Sequence, residues 1–247
     1  MKGILKSLFG ILGFEVHRKK QPVLHGYFRN EQMIRGFQHI KDLGLKFNTI
    51  IDIGAADGSW ALSAKEFWPL CDFLLFEPLI ERKKELELLA EEHANFQYVP
   101  FAAGAEKSVI QFYVADDLDG SGIADELGNN KNIRSVETTR LDTEILEKNL
   151  TGPYLVKLDT HGFEVPILKG CEQILNQVSV FIIECYGFHI TRDSLLFWEM
   201  CQYMDNMGYR LFNIVDVTNR PKDFAFWQCD ALFIDKRHEI FTTNTFN

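Results

Sequence analysis

"IIDIGAADGSW" (residues 50–60) joins a buried strand to a helix through a glycine turn. An apolar run ends in Asp52 and Gly54, and a second glycine, Gly58, precedes Ser59. The run reads as a strand buried on both faces, and "SWALSAKEFW" (59–68) as the helix that follows it. A glycine between strand and helix allows a tight turn where backbone can approach a ligand, and the N–H groups of the helix start face the same space. The spacing is D-x-G-x-x-x-G, without the third glycine of the dinucleotide fingerprint, and Trp60 stands where that fingerprint uses small side chains. By itself the turn suits a structural bend or a nucleoside site.

The pattern repeats outward. "DFLLFEP" (72–78) is a second strand and "LIERKKELELLAEEH" (79–93) a solvated helix, and "FQYVPFAAG" (96–104) is a third strand. This βαβαβ run predicts a parallel sheet with right-handed crossovers. Glu77 closes the second strand, where a carboxylate can accept both hydroxyls of a ribose. "VIQFYVA" (109–115) and "SVETTRL" (135–141) are strands around the turn-rich "DDLDGSGIADELGNNKN". They predict a small β insertion around 105–141 carrying a mobile loop, the place for a lid or substrate wall. The parallel pattern resumes with the strands "YLVKLDTHG" (154–162) and "SVFIIECY" (179–186), alternating with helices over 163–175 and 193–208.

The chain ends in two strands, "YRLFNIVD" (209–216) and "WQCDALFID" (227–235), whose connection is too short for a crossover helix. They must run antiparallel. The expected fold is therefore α/β: a class I methyltransferase, Rossmann-like sheet, mostly parallel with a C-terminal antiparallel hairpin. It carries the small β insertion and N-terminal helices. Residues 1–45 form the N-terminal helical segment, with a helix around 30–43 ended by Gly44, and 46–240 the main domain.

The 247 residues carry a net charge of −9, which argues against a nucleic-acid partner. The five cysteines contain no CxxC pair and sit mostly in apolar surroundings, as reduced thiols of a cytoplasmic protein do. In "MKGILKSLFGILGFEVHRKK" (1–20), Ile4, Leu5, Leu8, Phe9, Ile11, Leu12 and Val16 fall on one helical face, with a basic cluster after them. This segment is too short to span a bilayer. It packs on the domain or makes peripheral contact with an anionic membrane.

The blocks "IIDIGAADGSW", "FLLFEP", "VPFAAG", "VETTRLD" and "LVKLDTHGFEVPILKG" occur in order across residues 48 to about 235. Together they resemble the FkbM family of S-adenosylmethionine-dependent methyltransferases. The last block is the specific one, being similar to that family's Lys-x-Asp-x-x-Gly-Phe-Glu-x-x-x-Leu-x-Gly pattern. The resemblance implies O-methylation of a sugar, glycan or other natural-product hydroxyl, with S-adenosylhomocysteine as product. It implies a cofactor site drawn from Asp52, Gly54, Ala55, Gly58, Glu77, Pro78, Ala102 and Asp159, with Asp159 facing the transferred methyl. His161 departs from the family block, which often carries Glu there.

Methyl transfer from a sulfonium is an in-line displacement, so oxygen and methyl must be held in contact while the hydroxyl proton is removed. His161 is the expected base, with Asp159 orienting the reacting groups and His189 as the alternative. The argument for His161 is that side chains two apart in extended chain point the same way. Asp159 and Glu184 offer a third route, binding a divalent metal that lowers the hydroxyl pKa. Lys157 reads as a strand-end charge, Glu164 as a favourable charge in a first helical turn, and the cluster around Tyr186, Phe188 and Phe226 as mostly core. A non-catalytic binding module and an NAD-dependent oxidoreductase are the rival readings. Acceptor identity and oligomeric state are not legible.

Overall fold

A computed structural model describes residues 31–125 and 132–246 of the chain. The expected helix over residues 1–20 and part of the insertion loop lie outside the described residues.

The main sheet has seven strands: β1 (Thr49–Ile53), β2 (Asp72–Phe76), β3 (Phe96–Val99), β8 (Tyr154–Leu158), β9 (Val178–Tyr186), β10 (Tyr209–Asn219) and β11 (Phe226–Asp235). Their spatial order is β3-β2-β1-β8-β9-β11-β10. The first five are parallel, and β11 runs antiparallel to both β9 and β10. This is the class I methyltransferase arrangement expected from the terminal hairpin.

Alternation along each strand supplies two cores. In β1, Ile50 joins the core under helices α1 (Glu31–Asp42), α2 (Ser59–Phe67) and α3 (Ile80–Glu92). Ile51 and Ile53 join the opposite core under α4 (Leu141–Glu147), α5 (Glu164–Lys169) and α6 (Phe197–Asn206). A strand with both faces covered is largely apolar, and β1 and β8 read as apolar runs each broken by one buried charge, Asp52 and Lys157. Helix α1 seats Met33, Phe37 and Ile40, each fully buried, in the first core.

Three elements differ from expectation. The third strand divides: Phe96–Val99 stays in the main sheet, whereas β4 (Ala102–Ala103) pairs with β7 (Ile133–Thr139). With β5 (Ser108–Tyr113) and β6 (Gly122–Ile123) these form a second sheet of order β4-β7-β5-β6. The helix expected over 163–175 stops at Lys169 and gives way to a turn over 170–174, in which Gly170 lies against the Gly104 carbonyl, where a Cβ would collide. The helix expected from 193 begins at Phe197, since Leu196 is first taken into a bridge with Tyr186 of β9. The Glu199 carboxylate then accepts the Leu196 N–H at 2.8 Å.

All five cysteines are free thiols, four of them buried. Among the described residues no helix is long and apolar enough to cross a membrane.

Candidate active site

The carboxyl ends of the parallel strands open into a cavity of about 540 Å³. Gly54, Ala55, Glu77, Pro78, Ala102 and Asp159 line it, together with His161 and Glu184. Asp52 and Gly58 do not. Asp52 lies fully buried beneath the floor, and Gly58 is packed on α3, where a Cβ would press on Leu89.

The glycine turn answers first to packing. Gly54 has φ +79°, and a Cβ there would collide with the carbonyl of Asp159 on the neighbouring strand end. Its lack of a side chain therefore brings the β1 and β8 termini together, and the cavity floor follows from that. Glu77 stitches the same turn. Its carboxylate accepts the Ala56 N–H at 3.1 Å and the Leu79 N–H at 2.9 Å. Burial pushes this carboxyl up to about 7 against the pull of those two N–H bonds.

Lys157 is the strand-end charge expected, but a buried one that lines the cavity. It is buried in β8 with Nζ 3.1 Å from Asp159 Oδ2, 3.5 Å from Asp52 Oδ1 and 5.1 Å from the centre of the Trp60 ring. Burial disfavours its charge, but Asp52, Asp159 and Asp230 outweigh that and hold the ammonium firmly protonated. Burial raises Asp52 to about 6 despite Lys157. Asp159 is driven the other way: burial is outweighed by the Lys157 and His161 cations, so it stays ionised.

His161 reaches the site by a different path from the one expected. Residues 159–162 are not extended, and His161 takes the left-handed conformation (φ +52°) before Gly162 (φ +99°). This turn points the ring at β9. Nδ1 lies 2.7 Å from the Tyr186 hydroxyl and 3.2 Å from Glu184 Oε2, and Nε2 lies 2.8 Å from the Asp119 carbonyl. A carbonyl only accepts, so Nε2 carries a proton. The Tyr186 hydroxyl gives its own proton to Glu184 Oε2 at 2.6 Å, so Nδ1 donates as well. Burial opposes the charge, yet Glu184, Asp159 and the Asp119 carbonyl raise this imidazole to about 10. His161 is thus an imidazolium at neutral pH with no lone pair to offer, which is at odds with its expected role as base.

His189 does not line the cavity. It sits in the loop after β9 with Nδ1 2.8 Å from the Ser194 carbonyl, so the structure does not bring it to the reacting groups.

Asp159, His161 and Glu184 place one potential ligand atom each within 4.8 Å of one another. Their donors are already engaged. Asp159 holds the Lys157 ammonium, and Glu184 accepts Tyr186 on one oxygen and Gln228 on the other at 2.5 Å. His161, protonated on both nitrogens, offers a metal no lone pair, and the Lys157 ammonium beside Asp159 repels a second cation, so the set as protonated does not fit a metal.

Tyr186 was expected at this sheet edge, within a mostly core aromatic cluster, whereas Gln228 was not expected at the site. Gln228 sits near the start of β11 and meets Glu184 only because β11 pairs with β9. Lys157 did leave a signal, a lone cation inside the apolar run "YLVKL".

Residues 52–211 match the methyltransferase FkbM domain model. The chain belongs to this family. Among solved structures it is similar to the methyltransferase FkbM from Methylobacillus flagellatus KT, with 16% identity and TM-score 0.48. That alignment covers 76% of this chain and 43% of the other, so the chain spans less than half of that protein's length. It is also similar to the 1,6-didemethyltoxoflavin-N1-methyltransferase of Burkholderia thailandensis, solved with S-adenosylhomocysteine (11% identity, TM-score 0.46, 95% and 88% covered). A third likeness is to a SAM-dependent methyltransferase from Aquifex aeolicus (13% identity, TM-score 0.42, 80% and 88% covered). No curated protein sequence matches the chain significantly. In this FkbM-family chain the family block 157–170 supplies both Lys157 and Asp159 to the cavity.

Proposed function

We propose that this FkbM-family chain is an S-adenosylmethionine-dependent O-methyltransferase acting on a hydroxyl of a sugar, glycan or other natural product. One observation carries the reading: Gly54, Glu77 and Asp159 line a single cavity whose volume is ordinary for a small-molecule site. The cavity wall suits the cofactor. Glu77 keeps lone pairs free beyond its two N–H bonds, enough to accept ribose hydroxyls. Asp159 and Glu184 supply negative charge opposite a sulfonium. When bound, the cofactor supplies an electrophilic methyl group.

The chain's own groups then do the rest. Glu77 orients the nucleoside, Lys157 holds Asp159 in place, and the insertion loop excludes water, pinned by the Asp119 carbonyl on His161 and by the Arg82–Asp119 ion pair at 2.6 Å. A second cavity of about 360 Å³ adjoins the first, with Tyr186 and Trp227 as aromatic faces and Asp125, Thr191 and Gln228 as polar groups. Such a mixture suits the apolar and hydroxylated faces of a sugar.

Calorimetry with S-adenosylmethionine, followed by label transfer to a panel of methyl glycosides and phenolic natural products, tests the reading. Micromolar binding with transfer supports it. No binding at millimolar cofactor would favour an inert module.

A further inference from the structure

His161 and Gln228 line both cavities, while Tyr186 faces the second cavity and Glu184 the first. Between them runs one directed chain of hydrogen bonds. The imidazolium of His161 donates to the Tyr186 oxygen at 2.7 Å, and the Tyr186 hydroxyl donates to Glu184 Oε2 at 2.6 Å. Gln228 donates to the other Glu184 oxygen at 2.5 Å. The chain ends on a carboxylate and begins where a hydroxylated acceptor would lie.

We propose that the acceptor's proton leaves through the Tyr186 phenol to Glu184, with His161 as the fixed cation that orients the phenol. This rests on the methyltransferase reading. As the acceptor oxygen bonds to the methyl carbon, the C–S bond breaks and its electron pair returns to sulfur, discharging the sulfonium. The acceptor's O–H proton passes to the Tyr186 oxygen, and the phenol's own proton passes to Glu184 Oε2. Glu184 later releases it to solvent, which restores the starting state.

The neighbouring groups leave Glu184 as the fitting terminus. His161 has no free lone pair, and Asp159 is a weak base because Lys157 holds it ionised. Glu184 faces Asp159 at the β8 end, His161 on the turn, Asp230 on β11 and Tyr186 on its own strand, with Glu164 of α5 near the phenol. Burial and the charge of Asp159 raise its carboxyl, against the bonds from His161 and Tyr186, towards the pH at which a base is most effective. Burial and Glu184 drive the Tyr186 phenol far above its ordinary range, so it relays a proton and does not stand as a phenolate.

The test has two arms. In the protein without cofactor, nitrogen-15 NMR of the histidines should show His161 protonated on both nitrogens at about pH 8, and Glu184→Gln should make it titrate lower. With S-adenosylmethionine and the methyl glycoside turned over best, Tyr186→Phe and Glu184→Gln should each cut turnover by ~10²–10⁴-fold. S-adenosylhomocysteine affinity should change little, and Glu184→Asp should recover part of the loss and shift the acidic limb of the pH profile. A neutral His161 in the first arm overturns the proposal. So does near-normal turnover in Tyr186→Phe, or loss of turnover on adding EDTA. If the wild type transfers label to no acceptor, the methyltransferase reading fails instead, and the NMR arm still judges the proton arrangement.

Discussion

Lys157 Nζ stands 3.1 Å from Asp159 Oδ2, the ammonium and the carboxylate belonging to one strand end. The same ammonium also faces the fully buried Asp52 at 3.5 Å, so one cation serves two carboxylates beneath the cavity. Removing it would strand a charge in a low-dielectric floor.

Lys157→Met should therefore lower stability by about 3–5 kcal/mol in urea unfolding near neutral pH. Asp52 sets the pH dependence. Its folded pKa, about 6, is raised from 3.8. The stability it contributes is full below its unfolded pKa and is lost as pH rises through the folded value. Without Lys157 that value climbs further, so the variant's deficit should shrink between about pH 7 and pH 5. Adding Asp52→Asn should recover part of it at neutral pH. An equal deficit at both pH values would refute the pairing.

Glu77 gives a second pH dependence with a readable sign. Burial raises its carboxyl to about 7, and only the ionised form accepts two ribose hydroxyls. Affinity for S-adenosylhomocysteine, followed by calorimetry, should rise between about pH 6 and pH 8 and then level off. Glu77→Ala should weaken binding by ~1.5–3 kcal/mol and flatten that rise. Unchanged affinity in the variant would sink the nucleoside assignment.

Two glycines separate conformational cost from collision. Gly44 has φ +72° with nothing within 4 Å of a built Cβ, so Gly44→Ala should cost about 1–2 kcal/mol for the left-handed backbone alone. Gly54 has φ +79° and meets the Asp159 carbonyl, so Gly54→Ala should cost about 2–5 kcal/mol and impair cofactor binding. Thermal unfolding of the two variants compares them directly. Equal losses would remove the close approach of the β1 and β8 ends as the reason for Gly54.

The Arg82–Asp119 pair at 2.6 Å ties α3 to the insertion loop over the cavity. Asp119 is largely exposed, so Arg82→Ala should change global stability by less than about 1 kcal/mol. Dissociation of S-adenosylhomocysteine in stopped flow should accelerate about 2–5-fold, the kinetic equivalent of that energy. An unaltered rate would show that the Arg82–Asp119 pair does not hold the loop over the cofactor.

The main sheet was legible from local signals along the chain. Runs such as "TIIDI" and "YLVKL" must be buried on both faces, and the short link between the last two strands forbids a crossover helix. The same signals also placed Gly54, Glu77 and Asp159 at strand ends, where they line the cavity. What these residues do to one another depends on contacts made in three dimensions. Gln228 reaches Glu184 through the pairing of β11 with β9. The left-handed turn at His161 brings it to Tyr186, and the carboxylates around Lys157 come from β1, the end of β8 and β11. Proton positions and pKa shifts depend on distances of a few ångströms between residues far apart in the chain. Periodicity carries no record of such distances, so the base expected from the sequence emerged in the structure as a cation.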